Sequence, residues 1–368
     1  MENFIKPPVE VRYAEELAAL KATDTGRKPE NWYLSPKAVR TFILGSSKGI
    51  KYDGKVVNIK KKFFGNDSLV ERCIITLAGS RGLMLVGEPG TAKTMLSELL
   101  SAAISGTSTN TVQGTAGTTE DMIKYSWNYA LLLAKGPVKE ALVPSPLYVG
   151  MTKGIITRFE EITRTPAEIQ DSLISVMSDK VLNVPELEED GLIFAKSGFN
   201  IIGTANIRDK GVNEMSSALK RRFNFETVNP VKDVRLEKQI ILNEVEQSAI
   251  ADHIEMPIDT DVAELLAITY HELREGVSES GMKIDKPSAV MSTAEAVSVF
   301  YQTLSNAWYY EEKISLAELT QNLNNAVCKD TKDDLEKLKA YFNTVVKFKS
   351  EKLGGIWKEF YETKKYLK

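Results

Sequence analysis

Histidine and cysteine are scarce in this chain of 368 residues, which contains two of each. Cys73, Cys328, His253 and His271 are too few and too scattered in the sequence to form a structural zinc site. We therefore expect all four to be ordinary packing or surface residues. The same scarcity of cysteine is typical of a protein of the reducing cytoplasm.

Long apolar runs and an excess of positive charge are absent as well. No stretch approaches the ~18–20 apolar residues of a membrane span, and the first residues lack the layout of a signal peptide. The net charge is −3 and the pI is about 5.8, which argues against a globally basic nucleic-acid binder. Local basic runs at 60–62 and 329–368 are typical of solvated helix faces. We expect neither membrane insertion nor a nucleic-acid partner.

A glycine-rich turn stands between an apolar run and a helical pattern. Residues 87–94 read Gly-Glu-Pro-Gly-Thr-Ala-Lys-Thr, after the run Leu-Met-Leu-Val at 83–86. A buried strand, such a turn and a helix N-terminus together form a cradle for phosphate groups. Lys93 would reach the β- and γ-phosphates, and the Thr94 hydroxyl would hold Mg²⁺. The sequence predicts binding of a nucleoside triphosphate.

This turn departs from the usual pattern at one position, because Ala92 stands where a glycine normally precedes the lysine. Alanine is acceptable there only if its backbone is near helical, which the first turn of the helix allows. Gly87 and Gly90 let the backbone approach a ligand without a Cβ in the way. The residues that we expect to bind the nucleotide here are Gly87, Glu88, Pro89, Gly90, Thr91, Ala92, Lys93, Thr94 and Met95.

From residue 63 onwards, predicted strands alternate with predicted helices, which implies a parallel sheet covered on both faces. After residue 230 the strand signal disappears, and only helical patterns follow. The fold class is therefore α/β, a nucleotide-binding core followed by an all-α part. The predicted strands are 83–86, 109–113, 154–159 and 199–204, and the predicted helices are 67–78, 95–103, 167–177, 232–250, 261–275, 287–309, 315–327, 332–350 and 355–367.

Polar side chains follow the third and fourth of these strands. Glu160 and Glu161 end the third strand, and Asn206 comes shortly after the fourth. In nucleotide hydrolases an acid here helps to hold Mg²⁺, and a neighbouring glutamate polarises the attacking water. The first acid is usually aspartate, so Glu160 would act through a metal-bound water. We assign Glu161 as the general base, and Asn206 as the amide that aligns the water or touches the γ-phosphate.

A basic segment, Ala-Leu-Lys-Arg-Arg-Phe, ends with Arg221, Arg222 and Phe223. A planar guanidinium suits the stabilisation of charge on a γ-phosphate. A basic helix end that complements the dipole of its own helix would have the same sequence. The residues alone leave both interpretations open.

These motifs, in this order, resemble those of AAA+ ATPases, specifically the MoxR family. Within it, residues 122–129 and 211–218 are similar to the branch labelled YehL. The resemblance covers roughly residues 63–300. It implies a helical lid, ATP hydrolysis at subunit interfaces and a ring, usually of six subunits. Members are thought to act as chaperone-like remodellers, often alongside partners with a von Willebrand factor A domain.

The resemblance also assigns roles. Lys93 and Thr94 match the Walker A pair, Glu160 and Glu161 the Walker B pair, and Asn206 matches sensor 1.

Three further segments follow from the same resemblance. Arg222 matches the arginine that acts on a neighbouring subunit, with Arg221 beside it, and Phe64 and Gly65 belong to a segment that lies along the adenine. The lid usually carries Ser-Pro-Arg as sensor 2, but this chain reads Lys-Pro-Ser at 286–288. The sensor-2 arginine is absent in this register, and whether Lys286 replaces it is left open.

The resemblance divides the chain into four parts. An N-terminal extension (1–62) precedes the nucleotide-binding domain (63–230), whose helix-2 insert covers about 121–153 and whose pre-sensor-1 hairpin covers about 180–200; a helical lid (231–310) and a C-terminal helical extension (311–368) follow. In the insert, Tyr125, Trp127 and Tyr129 alternate, which predicts a strand with its aromatic side chains on one face. The chain's own hairpin or a client protein would cover that face.

Our main prediction is a Mg²⁺-dependent ATPase in a homo-oligomeric, hexameric ring that remodels or activates a protein client or adaptor. Two alternatives are a helicase-like AAA+ motor acting on nucleic acid and a nucleotide switch that assembles a complex without hydrolysis. The acidic pI disfavours the first, and Glu161 disfavours the second.

Overall fold

The computed structural model describes residues 5–206, 213–329 and 332–367. Contacts group the chain into two compact units, one of Met1–Gly87 and Ala92–Val228 and the other of Glu88–Thr91 and Asn229–Lys368. The division into four parts remains a prediction. Residues 211 and 212 of the segment 211–218, and residues 330, 331 and 368 of the basic run, lie outside the described residues.

The first unit contains the sheet. Its strands are β1 (Ile50–Tyr52), β2 (Lys55–Val57), β3 (Gly82–Gly87), β4 (Thr111–Gln113), β5 (Tyr125–Trp127), β6 (Leu142–Pro144), β7 (Ile156–Glu160), β8 (Val181–Asn183), β9 (Leu192–Phe194), β10 (Asn200–Asn206) and β11 (Phe223–Val228). Its α-helices are α1 (Val9–Arg12), α2 (Ala14–Thr23), α3 (Pro36–Leu44), α4 (Asp67–Ala78), α5 (Lys93–Ser105), α6 (Glu120–Ile123), α7 (Tyr129–Lys135), α8 (Pro146–Lys153), α9 (Ala167–Asp171), α10 (Leu173–Asp179) and α11 (Ser217–Lys220).

Five of these strands form one parallel sheet in the order β11-β3-β10-β7-β4. The four predicted strands correspond to β3, β4, β7 and β10, so the predicted α/β fold with a parallel sheet is confirmed. Strand β11 was not predicted. The predicted helix over 167–177 is wrong in one respect, because the structure has two helices, α9 and α10, that meet at Ser172.

Apolar clusters cover both faces of the sheet. One cluster packs α3, α4 and α5 against the sheet and includes Phe42, Val70 and Leu83. The other cluster packs α8 and α10 against the sheet and includes Phe159 of β7 and Phe199, which directly precedes β10. Residues before position 63 are part of the first cluster, so the N-terminal segment shares the core of the nucleotide-binding sheet.

Among the described residues, three short antiparallel pairs, β1-β2, β5-β6 and β8-β9, lie outside the main sheet. Tyr125 and Trp127 lie in β5 with their rings in edge-to-face contact, 6.1 Å between centroids. The prediction that Tyr129 continues this strand is wrong. Asn128 accepts a hydrogen bond from the Leu131 N–H at 3.2 Å, and this cap starts helix α7 at Tyr129.

The second unit is helical. Its α-helices are α12 (Val234–Ala251), α13 (Thr260–Glu275), α14 (Thr293–Tyr309), α15 (Leu316–Val327), α16 (Lys332–Tyr341), α17 (Lys347–Leu353) and α18 (Gly355–Glu362). The predicted helix over 332–350 is interrupted by a π-helical turn at Phe342–Val346. In the described part of the chain, no helix combines the length and the apolar character that a membrane span needs.

The predicted start of a helix at residue 287 is wrong, because α14 begins at Thr293. Ser292 and Glu295 form a capping box, in which each side chain hydrogen-bonds the backbone N–H of the other. Before it, the backbone N–H of Ser288 donates to Asp334 Oδ1 at 2.8 Å, which holds this segment as a loop. Lys286 is therefore exposed in the loop, before the N-terminus of the helix.

Candidate nucleotide-hydrolysis site

The glycine-rich turn joins the buried strand β3 to helix α5, as the sequence predicts. Lys93, the first residue of α5, is 7% exposed, and its Nζ donates to the carbonyl oxygen of Gly87 at 3.2 Å. Thr91 Oγ1 donates to the carbonyl of Glu88 at 2.8 Å. Gly90 has a φ of 75°, a left-handed value that favours glycine. The lysine side chain is therefore folded back over the loop that leads to its own helix.

Ala92 does not have the near-helical backbone that the sequence analysis expects. Its φ and ψ are 65° and 24°, in the left-handed region. The reason is its place: it is the N-cap residue of α5, where the chain turns into the helix and is not yet helical. A left-handed L-residue costs about 1–2 kcal/mol, so this loop carries backbone strain that glycine would not.

The carboxylate of Glu160 is the centre of a buried network. Its Oε1 accepts hydrogen bonds from Ser97 Oγ at 2.6 Å and from Arg158 Nη2 at 2.7 Å. Its Oε2 accepts from Thr94 Oγ1 at 3.0 Å and from Thr204 Oγ1 at 2.7 Å. The network thus joins helix α5 to strands β7 and β10.

This network keeps Glu160 charged. Its side chain is buried, which by itself raises the pKa of the carboxyl. The guanidinium of Arg158 and the donors on Ser97 and Thr204 outweigh burial, and the pKa of Glu160 lies below its ordinary value of 4.5. A buried carboxylate is therefore ionised at neutral pH beside the phosphate loop.

The sequence analysis missed three members of this network: Ser97, Arg158 and Thr204. Arg158 is only 4% exposed, and besides Glu160 it contacts Ser97 Oγ through Nε at 3.0 Å and the carbonyl of Ser108 through Nη1 at 2.7 Å. One signal was available in the sequence. An arginine in a buried strand needs a partner, and Glu160, two positions after Arg158, lies on the same face of the strand.

Thr94 and Glu160 suit Mg²⁺, which prefers oxygen ligands, keeps several waters and binds through one or two carboxylates together with substrate phosphates. Thr94 is exposed at the start of α5, and Glu160 is ionised. Because both oxygens of Glu160 already accept hydrogen bonds, this carboxylate would hold the ion through a bound water, as the sequence predicts for a glutamate here. The donor set therefore fits.

Glu161 follows directly in a left-handed conformation, with φ 52° and ψ 44°. Its backbone N–H donates to Thr204 Oγ1 at 2.9 Å. Its carboxylate pairs with Arg164, with 2.8 Å between Oε2 and Nε, and the side chain is 36% exposed. Strained non-glycine residues cluster at functional sites. The turn separates the two acids, leaving Glu160 buried and Glu161 open to solvent.

Asn206 completes this edge of the sheet. It is the last residue of β10 and is paired with Gly87, the last residue of β3. Because the strands are parallel, the glycine-rich turn, Glu160, Glu161 and Asn206 all lie at the carboxyl edge of the sheet.

Arg221 and Arg222 lie at the opposite edge. The carbonyl of Arg222 accepts from the N–H of Gly82, the first residue of β3, at 3.0 Å. A strand of six residues rises roughly 17 Å over its length, so the phosphate loop at the other end of β3 is about that far away. The Arg222 side chain donates to Ser178 Oγ at 2.5 Å and to the carbonyl of Ala218 at 2.6 Å. The chain does not bring these arginines to its own phosphate loop.

The other four candidate residues do not take part in the Glu160 network. Phe64 is half-buried and Gly65 is exposed, in the connection before α4, and their contact with an adenine remains a prediction. Met95 packs its side chain against the apolar cluster of the first unit. Lys286 stands in the loop before α14, and its role as a sensor also remains a prediction.

Two family models match consecutive parts of the chain. Residues 82–223 match an AAA domain of the dynein-related subfamily. Residues 235–368 match the C-terminal domain of YehL-like AAA+ ATPases. YehL of Escherichia coli (strain K12) is 46% identical over 364 residues, which cover 98% of this chain and 97% of that protein. The chain belongs to the YehL family of AAA+ ATPases.

The resemblance to this family that the motifs suggested is thus confirmed. A more distant relative, the chaperone MoxR1 of Mycobacterium tuberculosis (strain ATCC 25618 / H37Rv), is 26% identical over 172 residues, which cover 46% of this chain and 42% of that protein. The match to MoxR1 therefore spans less than half of either protein.

Solved structures also resemble the YehL-family chain. NtrX of Brucella abortus in complex with ADP has a TM-score of 0.49 at 12% identity, and the match covers 82% of this chain and 68% of the NtrX chain. A single-residue variant of RuvB from Thermotoga maritima has a TM-score of 0.43 at 16% identity, and the match covers 82% of this chain and 87% of the RuvB chain.

Proposed function

We propose that this AAA+ ATPase hydrolyses ATP with Mg²⁺ at the carboxyl edge of its sheet, as part of an oligomeric ring that remodels or activates a protein partner. The observation that carries the proposal is the Glu160 network. It connects the Thr94 hydroxyl at the start of α5 to the strand that is followed directly by the half-buried Glu161.

The chemistry follows from the types of group at this edge. The N-terminus of α5 and Lys93 would bind the triphosphate of ATP. Thr94, and Glu160 through a water, would hold Mg²⁺, which would supply positive charge at the phosphate oxygens. Glu161 would accept the proton of the attacking water, and Asn206 would orient that water.

The position of the two arginines supports an oligomer. A guanidinium accelerates phosphoryl transfer by about 10³–10⁵ where it contacts the γ-phosphate. Arg221 and Arg222 lie roughly 17 Å from the phosphate loop of their own chain, given the length of β3. A second chain would bring its Arg222, with Arg221 beside it, to this site. We propose a ring of six such chains.

The partner in this proposal is a protein client or adaptor, such as one with a von Willebrand factor A domain. The relative named chaperone MoxR1 supports a chaperone-like role. The acidic pI of 5.8 favours a protein over a nucleic acid. Cys73 and Cys328 are free thiols, which suits our proposal that the ring works in the cytoplasm.

Two substitutions test the hydrolysis site. Lys93→Ala should weaken ATP binding at least tenfold, because this lysine meets phosphate charge in the ground state. Glu161→Gln should leave the ATP affinity unchanged and abolish turnover, because Glu161 acts on water only during the reaction. Isothermal titration with ATP and a phosphate-release assay on both variants separate the two roles. Equal loss of binding in both variants would refute this assignment.

A further inference from the structure

The hairpins β5-β6 and β8-β9, outside the main sheet, lie side by side. Tyr125 of β5 donates through its hydroxyl to Glu186 Oε2 at 3.0 Å, and burial together with Glu186 raises the pKa of Tyr125 to about 12. Lys139 pairs with Asp190 at 3.2 Å between Nζ and Oδ2. Helix α8 also contacts both hairpins. We call residues 120–144 and 181–194 together the insert surface.

The insert surface exposes many apolar side chains. Helix α7 reads Tyr-Ala-Leu-Leu-Leu-Ala-Lys, yet none of its residues is buried. Tyr129 and Leu133, one turn apart on the same side of α7, are 71% and 89% exposed. Leu192 and Phe194, on one face of β9, are 53% and 65% exposed. With Met122 and Val143, six of the sixteen exposed large apolar side chains in the described part of the chain lie in about a tenth of its length. Such a concentration marks an interaction site.

The charge of this surface is negative. The side chains that the structure describes there include six carboxylates and three lysines. They are Glu120, Asp121, Glu140, Glu186, Glu188 and Asp190, and Lys124, Lys135 and Lys139. The pairs Lys124–Glu120 and Lys139–Asp190 cancel two charges of each sign, and the six carboxylates against three lysines leave a net charge of −3. An apolar patch with acidic surroundings complements a partner that carries apolar and basic side chains together.

We infer that the insert surface docks a protein segment in which apolar side chains alternate with or are flanked by lysine and arginine. This inference rests on the proposed function and specifies the chemistry of the partner. Apolar side chains of that segment would cover Tyr129 and Leu133, and its basic side chains would meet Glu188 and Asp190. Buried aromatic and aliphatic anchors contribute most of the affinity, and the charges select the partner.

Synthetic peptides of alternating leucine and lysine, or alternating leucine and glutamate, test this surface on the full chain. We expect the leucine–lysine peptide to bind at least tenfold more tightly, measured by fluorescence anisotropy. The double variant Tyr129→Ser/Leu133→Ser should weaken that binding at least tenfold, because the contact loses two of its apolar anchors. The control Tyr309→Ser/Leu353→Ser removes side chains that are 68% and 65% exposed elsewhere, and should change binding less than twofold.

A second pair of variants tests whether the carboxylates of the insert surface contribute to peptide binding. Glu188→Gln/Asp190→Asn should weaken binding of the leucine–lysine peptide severalfold and reduce its dependence on salt. Glu312→Gln/Asp285→Asn, which removes one exposed carboxylate of each type from the helical unit, should do neither. Melting temperatures of all four variants check that each one folds.

The outcomes distinguish a failure of the docking inference from a failure of the proposed function. Equal binding of both peptides, or equal loss in the control variant, overturns the inference. If Tyr129→Ser/Leu133→Ser changes only the mass of the assembly, a second copy of the chain covers the surface and the inference is likewise overturned. Absence of ATPase activity with intact peptide selectivity refutes hydrolysis alone, whereas normal ATPase activity without selectivity refutes the docking surface alone.

Discussion

Two buried glutamate–arginine pairs, one in each unit, have nearly the same chemistry. Glu160 is 4% exposed and is bound by Arg158 together with hydroxyl groups, at the end of β7. Glu237 on α12 is 0% exposed and accepts two hydrogen bonds from Arg274, at 3.0 and 2.7 Å, and one from Thr293 Oγ1 at 2.7 Å.

The difference between the pairs lies in the hydroxyl donors. Thr94, which donates to Glu160, is exposed and begins the helix after the glycine-rich turn. Thr293, which donates to Glu237, begins α14 in the helical unit. A buried ion pair by itself therefore indicates only structure. A functional site is indicated where such a pair reaches an exposed polar atom next to a phosphate-binding loop.

The largest expected effect on stability comes from removing one charge of either pair. Glu160→Gln and Glu237→Gln should each lower the free energy of unfolding by about 3–5 kcal/mol, because each removes the nearest counter-charge of an arginine. Arg158 then keeps only the more distant Glu98, at 3.7 Å between Nη2 and Oε1. Chemical denaturation measures this loss. Only Glu160→Gln should also reduce ATP turnover in the folded protein. If Glu237→Gln reduces turnover as strongly, the distinction between the two pairs is wrong.

Removing a single hydroxyl should have a smaller effect. Thr204→Val and Thr293→Val each delete one donor to a buried carboxylate, and each should cost about 1.5–3 kcal/mol, because hydrogen bonds to charged groups contribute that much. Thr204→Val should in addition lower the rate of hydrolysis, since Thr204 also accepts from the backbone N–H of Glu161. Denaturation curves and phosphate release test the two variants in parallel. An unchanged rate in Thr204→Val would contradict a positioning role.

The smallest effect concerns two left-handed residues. Ala92→Gly and His253→Gly, at φ 65° and 57°, should each raise stability by about 0.5–1 kcal/mol. Glycine relieves the strain of the left-handed backbone, and its larger loss of entropy on folding offsets part of the gain. Only Ala92→Gly should change the affinity for ATP, because only Ala92 lies in the phosphate loop. Thermal melts and ATP titration check both points, and destabilisation by Ala92→Gly would show that the loop is not strained.

The sequence predicted the elements of the candidate site whose signal is local. The run 83–86, the glycine-rich turn and the acidic pair are each recognisable within a few consecutive residues. The rule that parallel strands bring their carboxyl ends to one edge then places Glu160, Glu161 and Asn206 near Lys93. The parallel order of the strands agrees with the placement of Glu160, Glu161 and Asn206 at one edge of the sheet.

The parts of the site that the sequence did not predict depend on contacts between distant parts of the chain. Ser97, Arg158 and Thr204 meet at one carboxylate only because the sheet order places β7 next to β10, with α5 packed against β7. Strand β11 was missed although its apolar and polar residues roughly alternate, which is a strand signal, because it directly follows a basic segment that was interpreted as a possible helix end.

Two local details were also wrong for physical reasons. The strain at Ala92 depends on how the chain enters α5, which the residue type does not indicate. The start of α14 is set by the capping box of Ser292 and Glu295 and by the contact of Ser288 with Asp334, so the predicted start at 287 was too early.

The central claim is that one hydrolysis site is divided between two chains, with Glu161 from one and Arg222 from the other. Arg222→Ala and Glu161→Gln subunits, each inactive alone, should regain part of the ATPase activity when mixed, because some interfaces then contain both native residues. The activity of the wild-type chain should likewise rise with protein concentration. No recovery on mixing, together with a rate per chain that does not depend on concentration, would contradict a site shared between chains.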